Sequence, residues 1–251
     1  MPSSSHRPRK RFGQHFLHER RVLEKIVNAL APAQDDFLVE IGPGEGALTG
    51  PLLEKVSKLE VIELDRDLAS TLAAKFPPFR LTVHCADALE FDFARFPSGM
   101  RLVGNLPYNV STPLLFHLAR YASQVRDMHF MLQLEVVDRM VAAPSTPAYG
   151  RLSVSLQSRF RMQKLFKVAA GAFRPPPKVE SAFVRLEPLD WPLPIDEDLL
   201  RRAFSARRKT LRNALPEIDF EAAGIDPKLR PENLSPEDYA RLSMGLSPGA
   251  R

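Results

Sequence analysis

The fold of this chain is decided by the stretch Phe37-Leu38-Val39-Glu40-Ile41-Gly42-Pro43-Gly44-Glu45-Gly46. Its first half is a short apolar run typical of a buried strand, and its second half places three glycines before a helical pattern. Because glycine lacks a Cβ atom, such a loop can turn sharply and let a ligand lie against its backbone, at the positive end of the helix. A strand, a glycine-rich turn and a helix in this order predict a nucleotide-type site in an α/β sheet.

The alternation of strands and helices continues beyond this stretch. Further strands are predicted at 59–65, 81–84, 102–104 and 128–132, with helical patterns between them, which favours a parallel sheet covered on both faces. From Phe160 the rhythm changes, and strands at 166–169 and 181–186 have no helical pattern between them. We therefore expect a Rossmann-like α/β fold with a seven-stranded, mostly parallel sheet, an antiparallel edge strand and a small all-α C-terminal domain.

The predicted domain boundaries follow composition. Residues 1–18 form a basic N-terminal arm, and residues 19–187 form the α/β domain. Three prolines mark a linker over residues 188–195. Residues 196–246 form a helical domain, with helices predicted at 196–215 and 236–242.

Bulk properties limit the class of protein. The 251 residues include one cysteine, so no intramolecular disulfide can form, and no apolar run is long enough to span a bilayer. We expect a cytoplasmic monomer that does not bind membranes. The charge is segregated: residues 1–21, 150–187 and 199–216 carry net charges of +5, +6 and +6, and the rest carries −12. This segregation predicts a polyanion-binding face, although solvated helix faces are the alternative.

Two carboxylates end the next two predicted strands. Glu63 lies 21 residues beyond Gly42, where it can accept both hydroxyls of a ribose. The glycine loop also fits a loose dinucleotide fingerprint, so an NAD-type oxidoreductase is an alternative at this point. Asp87 is a second carboxylate, suited to the amino group of adenine, and no residue pattern for hydride chemistry follows it. An adenosyl ligand without a pyrophosphate fits better, and S-adenosyl-L-methionine is the common one.

A second unusual stretch, Asn105-Leu106-Pro107-Tyr108, follows the fourth predicted strand. Asn105 brings a side-chain acceptor, Pro107 fixes the local backbone, and Tyr108 supplies a flat face. This combination suits a flat, polar ligand such as a nucleobase. An ordinary strand-to-helix turn is the alternative, because Asn and Pro are common turn residues.

Six motifs occur together and in order along the chain. They are Phe12-Gly13-Gln14-His15-Phe16-Leu17, Glu40-Ile41-Gly42-Pro43-Gly44-Glu45-Gly46 with Glu63, Asp87-Ala88, Asn105-Leu106-Pro107-Tyr108, Phe173-Arg174-Pro175-Pro176-Pro177-Lys178-Val179-Glu180-Ser181 and Arg207-Arg208-Lys209-Thr210-Leu211-Arg212. In these motifs the chain resembles the ribosomal RNA adenine dimethyltransferase family, a group of class I S-adenosylmethionine-dependent methyltransferases. Within that family it most resembles the branch that acts on the small subunit.

The resemblance implies a reaction and a set of site residues. The reaction is the transfer of four methyl groups to two adjacent adenosines in the 3′-terminal hairpin of 16S rRNA, on the immature 30S subunit, late in ribosome assembly. By motif, seven residues would bind the cofactor: His15, Leu17, Gly42, Gly44, Glu63, Asp87 and Asn105. No metal is expected.

Catalysis is predicted to rest on alignment. The exocyclic amine of adenine needs two acceptors for its hydrogens, which turn its lone pair toward the methyl group, and the candidates are the Asn105 side-chain oxygen and the carbonyl of Leu106 or Pro107. Tyr108 and Phe173 are predicted to stack on the two faces of a base drawn out of its stack.

RNA contacts are predicted to be mostly electrostatic. The helix from residue 196 would turn Arg207, Arg208, Lys209 and Arg212 outward as RNA-binding residues. Two other functions remain open: a non-catalytic RNA-binding assembly or transcription factor on the same fold, and a 23S rRNA adenine dimethyltransferase of the macrolide-resistance type.

Overall fold

The computed structural model describes residues 15–244. Most of the predicted basic arm, and residues 245 and 246 of the predicted helical domain, lie outside this range. The strands are β1 (Phe16–Leu17), β2 (Leu38–Ile41), β3 (Leu59–Glu63), β4 (Leu81–Cys85), β5 (Met100–Asn105), β6 (Val125–Gln133), β7 (Phe160–Val168), β8 (Phe173–Arg174) and β9 (Ser181–Pro188). The helices are α1 (Arg20–Leu30), α2 (Thr49–Leu53), α3 (Arg66–Lys75), α4 (Ser111–Ala119), α5 (Leu134–Met140), α6 (Arg151–Gln157), α7 (Glu197–Ser205), α8 (Leu211–Ala214) and α9 (Pro236–Met244). Within residues 15–244, none of these helices has the length and apolarity to cross a membrane.

Seven strands form one sheet in the order β4-β3-β2-β5-β6-β9-β7, and β1 pairs with β8 separately. The neighbours from β4 to β6 run parallel, whereas β9 runs antiparallel to β6. The predicted α/β fold with a seven-stranded, mostly parallel sheet is therefore confirmed. The strand order reverses beside β2, which has β3 on one side and β5 on the other. The carboxyl ends of strands at such a switch point form a ligand-binding crevice.

The two strands predicted together at the edge of the sheet, β7 and β9, are its two outer strands on one side, and the one that runs antiparallel to its neighbour β6 is β9, one position inside the edge. β9 lies between β6 and β7, and β7 is the outermost strand. Burial explains this order, because β9 begins with four consecutive buried residues, whereas β7 exposes Arg161, Lys164 and Lys167. Charged side chains are suited to an edge strand, and a strand buried on both faces belongs in the interior of a sheet.

The chain divides into two compact units at boundaries that differ from those predicted. The first unit comprises residues up to Val137 together with Gln163–Glu187, and the second comprises Asp138–Met162 and the residues from Pro188 onward. Apolar packing explains the difference, because Tyr149 and Val154 lie in one hydrophobic cluster with residues of α7. The segment predicted as a free linker is also bonded within the second unit, where Leu189 and Leu193 donate from their backbone N–H groups to the carbonyls of Arg159 and Ser158.

The long helix predicted over residues 196–215 is interrupted. Helix α7 begins as expected, with the Asp196 side chain accepting from the N–H groups of Asp198 and Leu199, but it ends at Ser205. The chain then turns, because Leu211 and Arg212 donate backbone hydrogen bonds to the carbonyls of Leu229 and Pro227. A pairing with residues this distant in sequence leaves no periodic signal in the segment itself.

A buried histidine of the sheet gives the first testable prediction. His129 in β6 is 1% exposed, and neither ring nitrogen has a hydrogen-bond partner in the described part of the chain. Burial lowers the pKa of His129 to about 4; the Asp127 carboxylate opposes this shift, and the Arg101 and Arg185 guanidinium groups reinforce it. This pKa lies below the ordinary value of 6.5. Between pH 6.5 and 4, His129 is therefore protonated in the unfolded chain but not in the folded protein.

We expect His129 to lower the free energy of unfolding by about 3 kcal/mol as the pH falls from 7 to 4. The His129→Leu variant should lose this part of the pH dependence, as measured by urea unfolding at four pH values. His18 is exposed, so His18→Leu is the matched control and should keep the dependence of the parent protein. A slope between pH 6.5 and 4 that is identical in the parent and in His129→Leu would contradict the assignment.

Candidate active site

One cavity lies at the carboxyl ends of the central strands, at the switch point of the sheet. It is lined by every residue that the sequence analysis assigns to the cofactor: His15, Leu17, Gly42, Gly44, Glu63, Asp87 and Asn105. Leu106, Pro107 and Tyr108 line the same cavity, and Phe173 does not. The structure therefore brings the two unusual stretches of the sequence together in one place.

The glycine loop lies close to its neighbours. Gly44 has a φ of +58°, and a Cβ atom on it would lie 2.9 Å from ring atoms of Phe16. Gly104, at the end of β5, is closer still to the loop, because a Cβ atom there would lie 2.4 Å from the carbonyl oxygen of Ile41. Only glycine allows these approaches without a shift of backbone or ring. The loop and the Asn105–Tyr108 stretch are thus packed against each other as neighbours.

The Glu63 carboxylate is held in place by backbone donors. Gly44 N–H donates to its Oε2 atom at 3.1 Å, and Asp65 N–H donates to its Oε1 atom at 2.9 Å. Burial raises the pKa of Glu63, the hydrogen bonds from Asp65 and Gly44 oppose the rise, and the Asp65 charge adds to it. Each oxygen keeps a further lone pair, so this preorganised carboxylate can accept two adjacent hydroxyl groups.

Two further residues line the cavity just after the ends of β4 and β3. Asp87 follows β4, and its Oδ1 atom accepts from the Leu89 N–H group at 2.9 Å, which fixes the carboxylate. Leu64 follows Glu63, lines the cavity and is 47% exposed, an unusual position for a large apolar side chain. Its side chain gives this part of the cavity an exposed apolar surface. Leu64 was not predicted from the sequence, where its only signal is its place directly after the strand-end carboxylate.

Glu40 is a second carboxylate of the cavity that the sequence analysis quotes without assigning a role. It is 2% exposed, and the Thr49 Oγ1–H group donates to its Oε2 atom at 2.6 Å. Burial raises the pKa of Glu40 to about 7; the Thr49 hydrogen bond opposes the rise, and the Glu63 charge adds to it. The sequence contains a signal for a role of Glu40, because this charged residue interrupts the otherwise apolar strand β2. Buried charge of this kind is typical of functional sites.

The Asn105 side chain has a defined orientation. Its Nδ2 atom donates to the His15 carbonyl oxygen at 2.8 Å, and the Oδ1 atom is thereby kept as an acceptor. Leu106 N–H donates to the Met131 carbonyl oxygen of β6 at 3.2 Å, which extends the strand pairing into the stretch. At the far end, the Tyr108 hydroxyl bonds to the Ser181 Oγ atom. The stretch is therefore tied to its surroundings at three points.

The predicted stacking role of Phe173 is wrong for this structure. Phe173 is 1% exposed and lies in the hydrophobic core, where β8 pairs with β1 and places Phe173 opposite Leu17. The ring beside Tyr108 is instead that of His15, with 5.4 Å between the ring centroids and 31° between the planes. The His15 Nδ1 atom also lies 2.7 Å from the Pro175 carbonyl oxygen. An aromatic residue next to a polar motif can pack inward or face a ligand, and the sequence does not distinguish the two.

The predicted RNA-binding residues divide into two kinds. Arg208, Lys209 and Arg212 are exposed, whereas Arg207 pairs with Glu232 at 2.6 Å and donates to the Pro147 carbonyl oxygen. The two backbone hydrogen bonds described above bring a second basic segment beside the first. We define the basic surface by its five exposed cations: Arg208, Lys209, Arg212, Lys228 and Arg230. The last two were missed because they lie outside the charged run.

Comparisons with known proteins agree with this geometry. Residues 5–246 match the family described as ribosomal RNA adenine dimethylase. The chain is 56% identical over 250 residues to the ribosomal RNA small subunit methyltransferase A of Aromatoleum aromaticum. The matched region covers 96% of this chain and 94% of that protein.

Solved structures show the same similarity. A dimethyladenosine transferase from Plasmodium falciparum superposes with a TM-score of 0.77 at 26% identity, covering 91% of this chain and 96% of that one. The 23S rRNA methyltransferase ErmE superposes with a TM-score of 0.70 at 25% identity, covering 92% of this chain and 99% of that one. The resemblance seen in the six motifs is confirmed, and the chain belongs to the ribosomal RNA adenine dimethylase family.

Proposed function

We propose that this protein uses S-adenosyl-L-methionine to dimethylate the exocyclic amines of two adjacent adenosines in the 3′-terminal hairpin loop of 16S rRNA. The substrate is the immature 30S subunit, and the step falls late in ribosome assembly in the cytoplasm, with the protein acting as a monomer. One observation carries the proposal: two carboxylates suited to an adenosyl group share a cavity with the Asn105–Tyr108 stretch. The name and the 56% identity of the Aromatoleum aromaticum relative support the small subunit as the target.

The cavity fits the proposed cofactor. Gly42 and Gly44 line the cavity and offer backbone without a side chain, Glu63 suits the ribose hydroxyls, and Asp87 suits the adenine amino group. His15, Leu17 and Asn105 would hold the methionine end, where Glu40 adds a buried carboxylate. When bound, S-adenosylmethionine supplies an activated methyl group on a cationic sulfur.

Asn105 and its neighbours prepare the target amine. The lone pair of this amine is delocalised into the adenine ring, so the nitrogen must become pyramidal before it can form a bond to carbon. The Asn105 Oδ1 atom and the carbonyl of Leu106 or Pro107 accept its two hydrogens and favour that shape. Asn105 holds its acceptor ready because its Nδ2 atom is engaged by the His15 carbonyl oxygen. Tyr108 stacks on the base, as is usual for flipped bases.

The basic surface gives a prediction about RNA binding. Replacing Arg208, Lys209 and Arg212 together by glutamine should weaken binding to 30S particles and lower the slope of log K against log salt by about 2–3. The physical reason is that each cation that contacts a phosphate releases counterions on binding. Affinities measured at four salt concentrations give the slope.

Two comparison variants make this test specific. A triple variant of three exposed cations elsewhere in the chain, Lys55, Arg66 and Arg120, should keep the slope of the parent protein. Replacing Arg207 should lower the thermal stability and leave the salt slope close to that of the parent, because Arg207 is paired with Glu232. If the slope of the first triple variant equals that of the parent, the basic surface does not bind RNA.

The proposed function is tested by transfer of labelled methyl groups to unmethylated 30S particles, free 16S rRNA and free 23S rRNA, followed by mapping of the product. Label in two adjacent adenosines of the 16S hairpin loop is the expected result. Label in 23S rRNA would instead support the activity named for ErmE, to which the chain is 25% identical. Binding without any label would support the non-catalytic factor, a reading that the complete cavity disfavours.

A further inference from the structure

A buried hydroxyl outside the Asn105–Tyr108 stretch holds its aromatic ring. The hydroxyl oxygens of Tyr108 and Ser181 lie 2.5 Å apart, and Ser181 is fully buried at 0% exposure. A half-buried phenol requires a partner for its hydroxyl, because an unsatisfied polar group in the interior is costly. Ser181 is therefore the group that allows the Tyr108 hydroxyl to point into the protein.

The position of Ser181 in the sheet makes it a rigid anchor. It is the first residue of β9 and is paired with Gln133 of β6. The Leu134 N–H group donates to the carbonyl oxygen of the preceding residue, Glu180, at 2.9 Å, so the backbone before β9 is fixed as well. A side chain on a paired strand is positioned more accurately than one on a loop.

The other end of the Tyr108 side chain is fixed by a different strand. The stretch that carries Tyr108 leaves β5, and the Ser111 Oγ–H group donates to the Tyr108 carbonyl oxygen at 3.2 Å. In the sheet, β5 and β9 are separated by β6. The Tyr108 side chain is thus held at its backbone by one strand and at its hydroxyl by another, which fixes the direction in which the ring points.

We infer that Ser181 is a positioning residue for methyl transfer, whose hydroxyl holds the Tyr108 ring in the orientation in which the target adenine stacks. This inference rests on the proposed function, in which Tyr108 contacts the base. Ser181 itself does not line the cavity. Its loss would let the Tyr108 hydroxyl turn toward water and take the ring with it.

The test is a double-mutant cycle with Ser181→Ala, Tyr108→Phe and the combined variant, assayed for methyl transfer to unmethylated 30S particles. Each single change removes the same hydrogen bond and should lower kcat by about 10-fold, since small misplacements at a reacting centre are costly. The combined variant should be no slower than either single one. Affinity for S-adenosylmethionine should stay within a few-fold of the parent. Multiplying effects in the combined variant, or a normal kcat in Ser181→Ala, would overturn the inference.

A second measurement does not depend on activity. The chain has four tyrosines, so 3-fluorotyrosine labelling gives four ¹⁹F resonances, of which the Tyr108 signal is identified by its loss in Tyr108→Phe. Ser181→Ala should shift that signal alone. The matched control is Ser153→Ala, because Ser153 is also fully buried and its hydroxyl donates to the Arg139 carbonyl oxygen. It should leave the Tyr108 signal and kcat unchanged.

The two measurements separate the possible failures. If the parent protein methylates no RNA while Ser181→Ala shifts the Tyr108 signal, the proposed function fails and the anchoring contact stands. If the parent is active and the Tyr108 signal is unmoved, the anchoring contact fails alone. If Ser181→Ala does not fold, Tyr108→Phe, which keeps Ser181 in place, must still show the lowered kcat, and a normal value there refutes the inference.

Discussion

Replacement of Asn105 by alanine is expected to lower the rate of methyl transfer by about 10²–10³-fold, the usual effect of removing one preorganised hydrogen-bond group from a reacting centre. The affinity for S-adenosylmethionine should change only a few-fold, because Gly44, Glu63 and Asp87 remain in place. The rate falls because Asn105 supplies an acceptor oxygen, which is oriented by the hydrogen bond of 2.8 Å from the Asn105 Nδ2 atom to the His15 carbonyl oxygen. Single-turnover rates on 30S particles and calorimetric cofactor titrations measure the two quantities.

An aspartate at the same position separates orientation from acceptor strength. Asn105→Asp keeps the acceptor oxygen and adds charge, but it replaces the N–H group that donates to the His15 carbonyl by a second oxygen, so the carboxylate faces a carbonyl oxygen. We expect this variant to be nearly as slow as Asn105→Ala. The matched control is Asn28→Ala on the exposed face of α1, which should turn over normally. Near-normal rates for Asn105→Ala would remove this side chain from the mechanism.

Replacement of Glu40 by glutamine should make the free protein more stable and a poorer binder of its cofactor. The pKa of Glu40 is raised by burial to about 7, above the ordinary value of 4.5, so the folded protein keeps a proton that the unfolded chain loses between these pH values. Stability therefore falls as the pH rises from 4.5 to 7, and it stays lower above pH 7. The amide cannot ionise, so at pH 8 Glu40→Gln should be more stable than the parent by about 3 kcal/mol, as measured by urea unfolding.

Cofactor binding should show the opposite effect. S-adenosylmethionine carries positive charge, so it favours the ionised form of Glu40, and the parent should bind it more tightly as the pH rises through 7. Glu40→Gln should lose about 100-fold in affinity, because a buried cation then lacks its carboxylate. Glu54 is exposed at the end of α2, and Glu54→Gln should match the parent in both measurements. Equal stability of Glu40→Gln and the parent at pH 8 would show that this carboxylate is ionised without cost.

The parts of the site that could be predicted from sequence are those fixed by the ends of strands. The glycine loop, Glu63, Asp87 and Asn105 each end a short apolar run, and in a parallel sheet such ends meet at one edge. Their convergence on one cavity needed no information on side-chain packing. Glu40 was given no role although it interrupts an apolar strand, because the hydrogen bond that marks its position comes from Thr49 on the following helix.

The predictions that differ from the structure have a common physical origin, because each depends on contacts between residues that are distant in sequence. Phe173 packs into the core because β8 pairs with β1, and the predicted long helix ends early because Leu211 bonds to Leu229. The order of β9 and β7 in the sheet likewise depends on which strand the rest of the protein covers. Local periodicity does not show which segments contact each other, so the helices and strands were predicted better than the contacts between them.

The pairing of β1 with β8 determines how much of the chain must be synthesised before the cavity can form. Leu17 pairs with Phe173 and Phe16 with Arg174, so one wall of the cavity joins the start of the described chain to a segment made much later. During synthesis, Phe16 and Leu17 emerge long before Phe173 and Arg174, so the pairing of β1 with β8 cannot form until those later residues have left the ribosome. A nascent chain that ends before Phe173 already contains the glycine loop, Glu63 and Asp87, yet it lacks this wall. Synthesis must therefore pass Arg174 before the wall can close.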